Sequence, residues 1–225
     1  VSVLLQKYYY AYELTAVLPK KELANQQTII NQFVQSFAVL PQFDLSSYDQ
    51  LTTFESDNFV FHGWSTLTPE DQTYLKEQFQ ASLQNINQTL LINWKDKINV
   101  YLYPSWDQLY TYTLARNSFS DLANKEMHIL YVSPDNHQSF GYETTKIIFQ
   151  NTFGTVQERF ILEGIAVMLD QTNRDYLDLL RQNHFIPLSD LMSVNWELLE
   201  GNIKYFEVGV LSRYLIDQYG IDLYI

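Results

Sequence analysis

The chain has 225 residues and 46% of them are hydrophobic, so it can bury the core of one large domain or of two small ones. Its 26 acidic and 14 basic side chains give a formal charge of -12, which argues against a nucleic-acid partner, because such a partner needs a basic face. The lack of cysteine excludes disulfides, thiolate metal sites and a cysteine nucleophile, and no apolar run reaches the roughly 20 residues of a membrane span.

The first part of the chain is predicted to be helical. Residues 1–40 are interpreted as two helices separated at Pro19. We therefore assign residues 1–50 to an N-terminal helical arm and residues 51–225 to the domain that follows. Because the chain opens on Val1 inside the first predicted helix, we expect that an upstream segment, such as a signal peptide or a membrane anchor, has been removed.

Three segments with alternating apolar residues predict β-strands, and two helices are predicted between them. Thr68 supplies the N-cap hydroxyl of the first helix, which is predicted to run to about Asn93, and Ser105 caps the second, shorter one. The strand segments are FESDNFVFHG (54–63), KINVYLY (97–103) and MHILYVS (127–133).

From Ser139 onward the pattern predicts helices only. The order of elements therefore predicts an α+β fold, in which a small sheet-bearing lobe of about three strands or more with helices precedes a helical lobe. The helices are predicted from Ser139 to Gly154, from Val156 to Asp170, over NRDYLDLLRQ (173–182), and from Asn202 to Gly220.

Two acids on consecutive predicted helices are candidates for chemistry. Residues 142–146 read YETTK, and Glu163 follows in FILEGIAVMLD, twenty residues beyond Glu143. An E-x-x-K spacing is by itself common on helix surfaces, and Gly164 with Ala166 is typical of close helix packing. That simpler interpretation leaves one feature unexplained, because an acid is seldom placed inside an apolar helix without a partner.

Taken in order, these segments resemble the gluzincin-type zinc peptidases, the peptidase MA-like family, over roughly residues 54–224. FILEGIAVMLD is similar to the second motif of that family, an acid followed by glycine and then by alanine two positions later. FESDNFVFHG resembles the opening strand, INVYLYPSWDQL the second strand with its helix, and HILYVSP the edge strand before the active-site helix. IPLSDLM and KYFEVGVLSRYLIDQYG resemble the closing helices. The resemblance implies a zincin-like fold.

In such enzymes one helix carries H-E-x-x-H, because histidines four residues apart can reach one zinc ion while the glutamate activates its bound water. The resemblance places Tyr142 and Lys146 at the two histidine positions, Glu143 at the general-base position and Glu163 at the third-ligand position. Tyr205 resembles a tyrosine of the closing helix that can face the cleft, although with 17 tyrosines in the chain a core or surface position is the simpler interpretation. With both imidazoles replaced, the resemblance predicts that zinc has been lost and that no cofactor is bound.

The predicted loss of zinc leaves two acids that need a cation. Two carboxylates about 4 Å apart repel by roughly 4 kcal/mol at an effective dielectric constant near 20. We expect the Lys146 ammonium to lie within salt-bridge reach of Glu163, with Glu143 as the second candidate. His137, in the loop before Glu143, is an alternative metal ligand, although a lone histidine on a loop is usually solvated. No two histidines have the spacing of a ligand pair.

These observations predict a catalytically inactive gluzincin-like pseudopeptidase domain that binds or scaffolds an unidentified protein, peptide or glycan. An active hydrolase is an alternative, either as a metallopeptidase with atypical ligands or with Glu143 and Glu163 as an acid–base pair. A structural adaptor domain whose residues 1–40 dock on a partner is a second alternative. The acidic, cysteine-free composition fits the bacterial exterior and the cytoplasm, and the resemblance favours an extracellular or cell-surface setting.

Overall fold

The structure is a computed structural model in which the chain divides into two compact units, Val1–Leu45 and Ser46–Ile225. For residues 2–7, 10–15 and 223 it describes the backbone alone. The described residues are 2–7, 10–15, 51–64, 67–134, 140–155, 158–170, 185–192, 196, 199 and 201–224.

The described part of the first unit is an antiparallel hairpin of β1 (Ser2–Lys7) and β2 (Tyr10–Thr15). The helix predicted for the start of the N-terminal arm is therefore wrong. The register places Val3 opposite Leu14, and both strands are rich in aliphatic and aromatic residues at alternate positions, which favours paired strands over a helix. The second helix predicted for this arm lies outside the described residues.

The second unit contains a five-stranded mixed sheet in the order β3-β4-β5-β7-β6. The three central strands are parallel, and each edge strand is antiparallel to its neighbour. The strands predicted over residues 97–103 and 127–133 are confirmed as β5 and β7. The segment 54–63, predicted as one strand, instead holds the end of β3, a turn and β4, and edge strand β6 was missed. HILYVSP does not form the edge strand, because β7 pairs on both sides and the edge belongs to β6. The strands are β3 (Thr52–Glu55), β4 (Phe59–Gly63), β5 (Ile98–Tyr103), β6 (Phe119–Asp121) and β7 (Glu126–Leu130).

Helices separate some of these strands and follow the last one, so the predicted α+β class is confirmed. The helix predicted over residues 173–182 lies outside the described residues. Among the described helices, none is both long and apolar enough to cross a membrane. The helices are α1 (Pro69–Leu90), α2 (Trp106–Thr113), α3 (Phe140–Phe153), α4 (Arg159–Met168), α5 (Leu188–Leu191) and α6 (Ile203–Tyr219).

The ends of α1 and α2 follow from their sequences. Thr68 and Asp71 form a reciprocal capping box in which the side chain of each accepts a hydrogen bond from the backbone N–H of the other. Ser105 caps α2, as predicted. Both helices end on a leucine in the left-handed region, Leu91 at φ 54° and Leu114 at φ 59°.

Aromatic packing against one face of the sheet sets the start of α3. The Phe79 ring of α1 lies 5.3 Å from the Phe61 ring of β4 and 5.1 Å from the Phe140 ring, measured between centroids. All three side chains are buried. Because Phe140 is the first residue of α3, this contact fixes the helix end that carries the candidate site.

Candidate functional site

Helix α3 carries three of the predicted site residues in its first two turns. Glu143 lies in the first turn, where the partial positive charge of the helix N-terminus favours an acid. Tyr142 and Lys146 are four residues apart and share one face, as their spacing predicts. The Lys146 Nζ atom lies 4.9 Å from the centroid of the Tyr142 ring, which is the geometry of a cation–π contact.

Glycines bring the neighbouring helix α4 close enough to place Glu163 beside this face. A Cβ atom on Gly141 would lie 2.1 Å from the carbonyl oxygen of Leu169, directly after α4. A Cβ atom on Gly164 would lie 2.1 Å from the Ser212 Oγ atom of α6. The close packing predicted for Gly164 is therefore confirmed, and only glycine fits at these two crossings without displacement of the neighbouring atoms.

Glu163 is only 2% exposed and has two partners. The Tyr142 hydroxyl donates a hydrogen bond to its Oε2 atom, and the Arg159 Nε–H donates to Oε1 over 3.4 Å. Burial raises the pKa of Tyr142 far above its usual range, and the adjacent Glu163 charge and hydrogen bond raise it further. The phenol therefore keeps its proton and acts as a donor.

Glu143 is 6% exposed, and its partners are different side chains from those that bond Glu163. The Lys146 Nζ atom lies 3.4 Å from its Oε2 atom, and the Ser120 hydroxyl of β6 donates to the same oxygen at 2.6 Å. Burial raises the pKa of Glu143. Lys146 and Ser120 oppose that shift, and the Glu163 charge adds to it.

The first choice of partner for Lys146 is thus corrected. Its ion pair is with Glu143, the second candidate, because the three-residue spacing on one helix places the two side chains together. The Glu163 carboxylate instead receives the Tyr142 phenol from α3 and the Arg159 guanidinium from its own helix.

Tyr205 lies on α6, within electrostatic reach of the cluster, because it contributes to the raised pKa of Tyr142. Its ring packs edge-on against Trp196, with centroids 5.7 Å apart, and the Lys204 Nζ atom lies 5.5 Å from its centroid. The structure therefore brings Tyr142, Glu143, Lys146 and Glu163 into one cluster and places Tyr205 near it.

Two residues of the cluster were missed by the sequence reasoning. Arg159 stands four residues before Glu163, and this helical spacing was a visible signal for an ion pair. Ser120 carried no comparable signal, because it lies on a three-residue strand, and only the fold brings that strand to Glu143.

The two described histidines, His62 and His128, form hydrogen bonds with side chains of neighbouring strands. His62 Nε2 lies 3.1 Å from Asn99 Oδ1, and the buried His128 shares a hydrogen bond of 2.9 Å with the Tyr103 hydroxyl. His137 and His184, and with them the alternative ligand role of His137, lie outside the described residues. Within the described part of the chain, no three residues among His, Asp and Glu are arranged to hold a metal ion.

The residues at the metal-ligand positions do not fit the zinc ion that the family resemblance implies. An ammonium group has no lone pair for a metal, and the Tyr142 phenol keeps the proton that it donates to Glu163. Lys146 and Tyr142 instead satisfy one carboxylate each. The arrangement can hold two buried acids between α3, α4 and β6 by hydrogen bonds and ion pairs alone.

Comparison with known proteins assigns the chain to no family. No protein-family model matches the chain, and no curated protein matches it at a significant level. The likeness to the gluzincin-type peptidases therefore depends on the motifs and on their order along the chain.

Proposed function

We propose that residues 51–225 form a gluzincin-like pseudopeptidase domain that has exchanged its zinc chemistry for a binding or scaffolding role. One observation carries this proposal. Tyr142 and Lys146, at the positions of the two zinc-binding histidines, each bond one of the two acids that would otherwise serve the metal. An enzyme of this class needs an electrophilic ion to activate water, and this cluster offers an ammonium group and a phenol in its place.

The order of elements supports a zincin-like arrangement. A mixed sheet with an antiparallel edge strand comes first, and the helices that carry Glu143, Glu163 and Tyr205 follow it. In this proposal the sheet with α1 and α2 forms an N-terminal lobe and α3 to α6 form a C-terminal lobe. The two acids lie on consecutive helices, as the motifs of the family require.

The proposed ligand is a protein, a peptide or a glycan, and the proposed setting is the cell surface or the extracellular space. The net charge of -12 supports a ligand other than nucleic acid. The near-complete burial of both carboxylates supports an internal structural role for the cluster in place of a catalytic one, since the paired acids join helices within the domain.

Zinc binding by a restored site tests this proposal. The wild-type domain is expected to bind no stoichiometric zinc in a calorimetric titration. The double substitution Tyr142→His with Lys146→His recreates H-E-x-x-H ahead of Glu163 and is expected to bind one zinc ion per chain. Adding Glu163→Gln to this double variant removes the third ligand and is expected to weaken zinc binding by at least tenfold.

Two results would contradict the proposal. Tight zinc binding by the wild-type chain, or peptide cleavage that a chelator abolishes, would restore the active metallopeptidase alternative. A folded double variant that takes up no zinc would contradict the zincin-like geometry. The H-E-x-x-H spacing would then be present in the sequence, but the fold would not bring the ligands together around a metal ion.

The carboxylate-pair alternative has one observation in its favour. The raised pKa of Glu143 is a property that a general acid requires, and the Glu163 charge contributes to it. Glu143→Gln tests it against a panel of glycoside substrates. Any turnover by the wild type that this variant lowers a hundredfold or more would favour a hydrolase over a binding domain.

A further inference from the structure

Four aromatic rings form a continuous stack across the sheet, one ring on each of four neighbouring strands. The order is His62 on β4, Tyr101 on β5, His128 on β7 and Phe119 on β6. Successive centroids are 4.6, 4.8 and 4.6 Å apart, with interplanar angles of 17°, 8° and 10°. The strand register pairs each ring with the next one, so the stack is built into the sheet.

His128 is the enclosed member of this stack. Its side chain is 4% exposed and lies between the flat faces of Tyr101 and Phe119, and its Nδ1 atom is bonded to the Tyr103 hydroxyl. Burial lowers the pKa of His128 to about 4, although the negative charge of Asp121 acts in the opposite direction. The imidazole is therefore neutral at pH 7.

Other titratable groups surround the ring on each packed element. Tyr101 and Tyr103 face it from β5, and Asp121 approaches from β6. Glu126 lies on the same strand as His128, and its pKa is raised by burial and by Asp121. Helix α2 packs on β5 and β7; its Tyr112 ring lies 6.3 Å from that of Tyr103, and its acidic residue, Asp107, is exposed.

On its outer side, His128 is covered by the shortest strand of the sheet, which lies at an edge. Strand β6 has three residues and pairs on one side only, with β7. Just before it, the Ser118 hydroxyl accepts a hydrogen bond from the Leu130 N–H at 3.0 Å. The same short strand carries both Phe119, which covers His128, and Ser120, which bonds Glu143. Movement of β6 would therefore expose the histidine and release the acid together.

We propose that β6 is an acid-sensitive latch: protonation of His128 favours separation of β6 from β7, which removes Ser120 from Glu143 and opens one side of the candidate site. An imidazolium is stabilised by water, and water reaches the ring once Phe119 moves away. Tyr101 belongs to a central strand and is not expected to move. The inference does not depend on the pseudopeptidase proposal, since the latch would act on a binding cluster and on a catalytic one alike.

Linkage gives the sign and size of the effect. Because the enclosed imidazole binds protons less well than a solvated one, opening becomes more favourable as the pH falls from about 6.5 towards about 4. With these two values, the equilibrium constant for opening rises about 50-fold between pH 7 and pH 4.5.

Amide hydrogen exchange on the full chain tests the latch. After correction for intrinsic exchange rates, those amides of residues 119–121 that are bonded to β7 are expected to lose protection about 50-fold between pH 7 and pH 4.5, while the bonded amides of residues 98–103 keep theirs. His128→Phe keeps the stacked ring but cannot be protonated, and it is expected to abolish this pH dependence. His62→Phe changes the other histidine of the stack, as a matched control, and should leave the dependence intact.

Equal loss of protection in His128→Phe and in the wild type would overturn the proposal and identify another group, such as Glu143, as the trigger. Unchanged protection of residues 119–121 in the wild type would overturn it as well. If His128→Phe fails to fold, the imidazole of the wild type can be titrated directly by NMR. Its protonation must then run parallel to the exchange of the β6 amides, and separate midpoints would refute the latch.

Discussion

The Tyr142 hydroxyl donates a hydrogen bond to the Glu163 carboxylate, and this bond joins helices α3 and α4 across the centre of the candidate site. A phenol thus occupies the place where the family resemblance implies a metal-bound imidazole. The two side chains are 21 residues apart in the chain, and the close helix crossing at Gly141 brings their helices together. Glu163 is almost fully buried, so the stability of the domain should depend on this donor.

Removing the phenol hydroxyl is expected to destabilise the domain. Tyr142→Phe keeps the ring and leaves the buried carboxylate with a weaker set of donors, so we expect the free energy of unfolding in urea to fall by about 1.5–3 kcal/mol. Tyr214→Phe is the control: Tyr214 is 56% exposed, and its change should stay within about 0.5 kcal/mol. Equal effects of the two substitutions would show that the bond to Glu163 has no importance for stability.

Lys146 and Glu143 are expected to be energetically coupled. Lys146→Met removes the ammonium from a buried carboxylate and should lower the unfolding free energy by about 3 kcal/mol. Glu143→Gln combined with Lys146→Met leaves no unpaired charge at this contact and should cost less than the sum of the single changes, with a coupling of about 1–3 kcal/mol. Additive single changes would mean that the 3.4 Å ion pair contributes nothing.

Gly164 is expected to be intolerant of even the smallest side chain. Alanine favours a helix by about 1 kcal/mol over glycine, but here its Cβ atom would meet the Ser212 Oγ atom at 2.1 Å and the Val208 carbonyl oxygen at 2.9 Å. We expect a net loss of about 1–3 kcal/mol of unfolding free energy for Gly164→Ala. Ser212→Ala removes the nearest atom and should recover part of this loss. A stabilised Gly164→Ala variant would show that α4 and α6 can separate freely.

The capping box of α1 should contribute measurably to stability. Thr68→Ala removes the acceptor for the Asp71 N–H and is expected to cost about 1 kcal/mol. Burial acts to raise the pKa of Asp71, but hydrogen bonds from Thr68 and Tyr131 outweigh it and leave the pKa lowered. The contribution of this carboxylate should therefore be present above pH about 4 and fade below it. Thr73→Ala, one turn on at an exposed position, is the control and should cost less than half as much.

Local signals made most of the second unit predictable. Thr68, Ser105 and Gly154 mark helix ends, and each corresponds to a helix boundary in the structure. The central strands were predictable because their inward residues alternate. Edge strand β6 was not, because it has only three residues, each of them partly buried, and it is defined by its pairing with β7.

The sequence predicted most of the residues that form the candidate site, but not which of their side chains contact each other. Helical spacing placed Tyr142 and Lys146 on one face, and the motif order brought Glu163 to them. The three-residue spacing of Glu143 and Lys146 was a visible signal for their ion pair, but Glu163 was preferred as the partner, and the hydroxyl of Ser120 came from a distant strand. The hairpin β1–β2 was mistaken for a helix because an apolar run of this length fits either period.

The two leucines in the left-handed region at the ends of α1 and α2 are positions where the chain can be made more stable to heat. An L-residue in this conformation costs about 1–2 kcal/mol that glycine avoids, and Leu91 and Leu114 both follow helices that carry no member of the candidate site. Leu91→Gly and Leu114→Gly should therefore raise the melting temperature and supply a tolerant background. In that background, disruptive changes such as the paired histidine substitutions can be studied in a chain that stays folded.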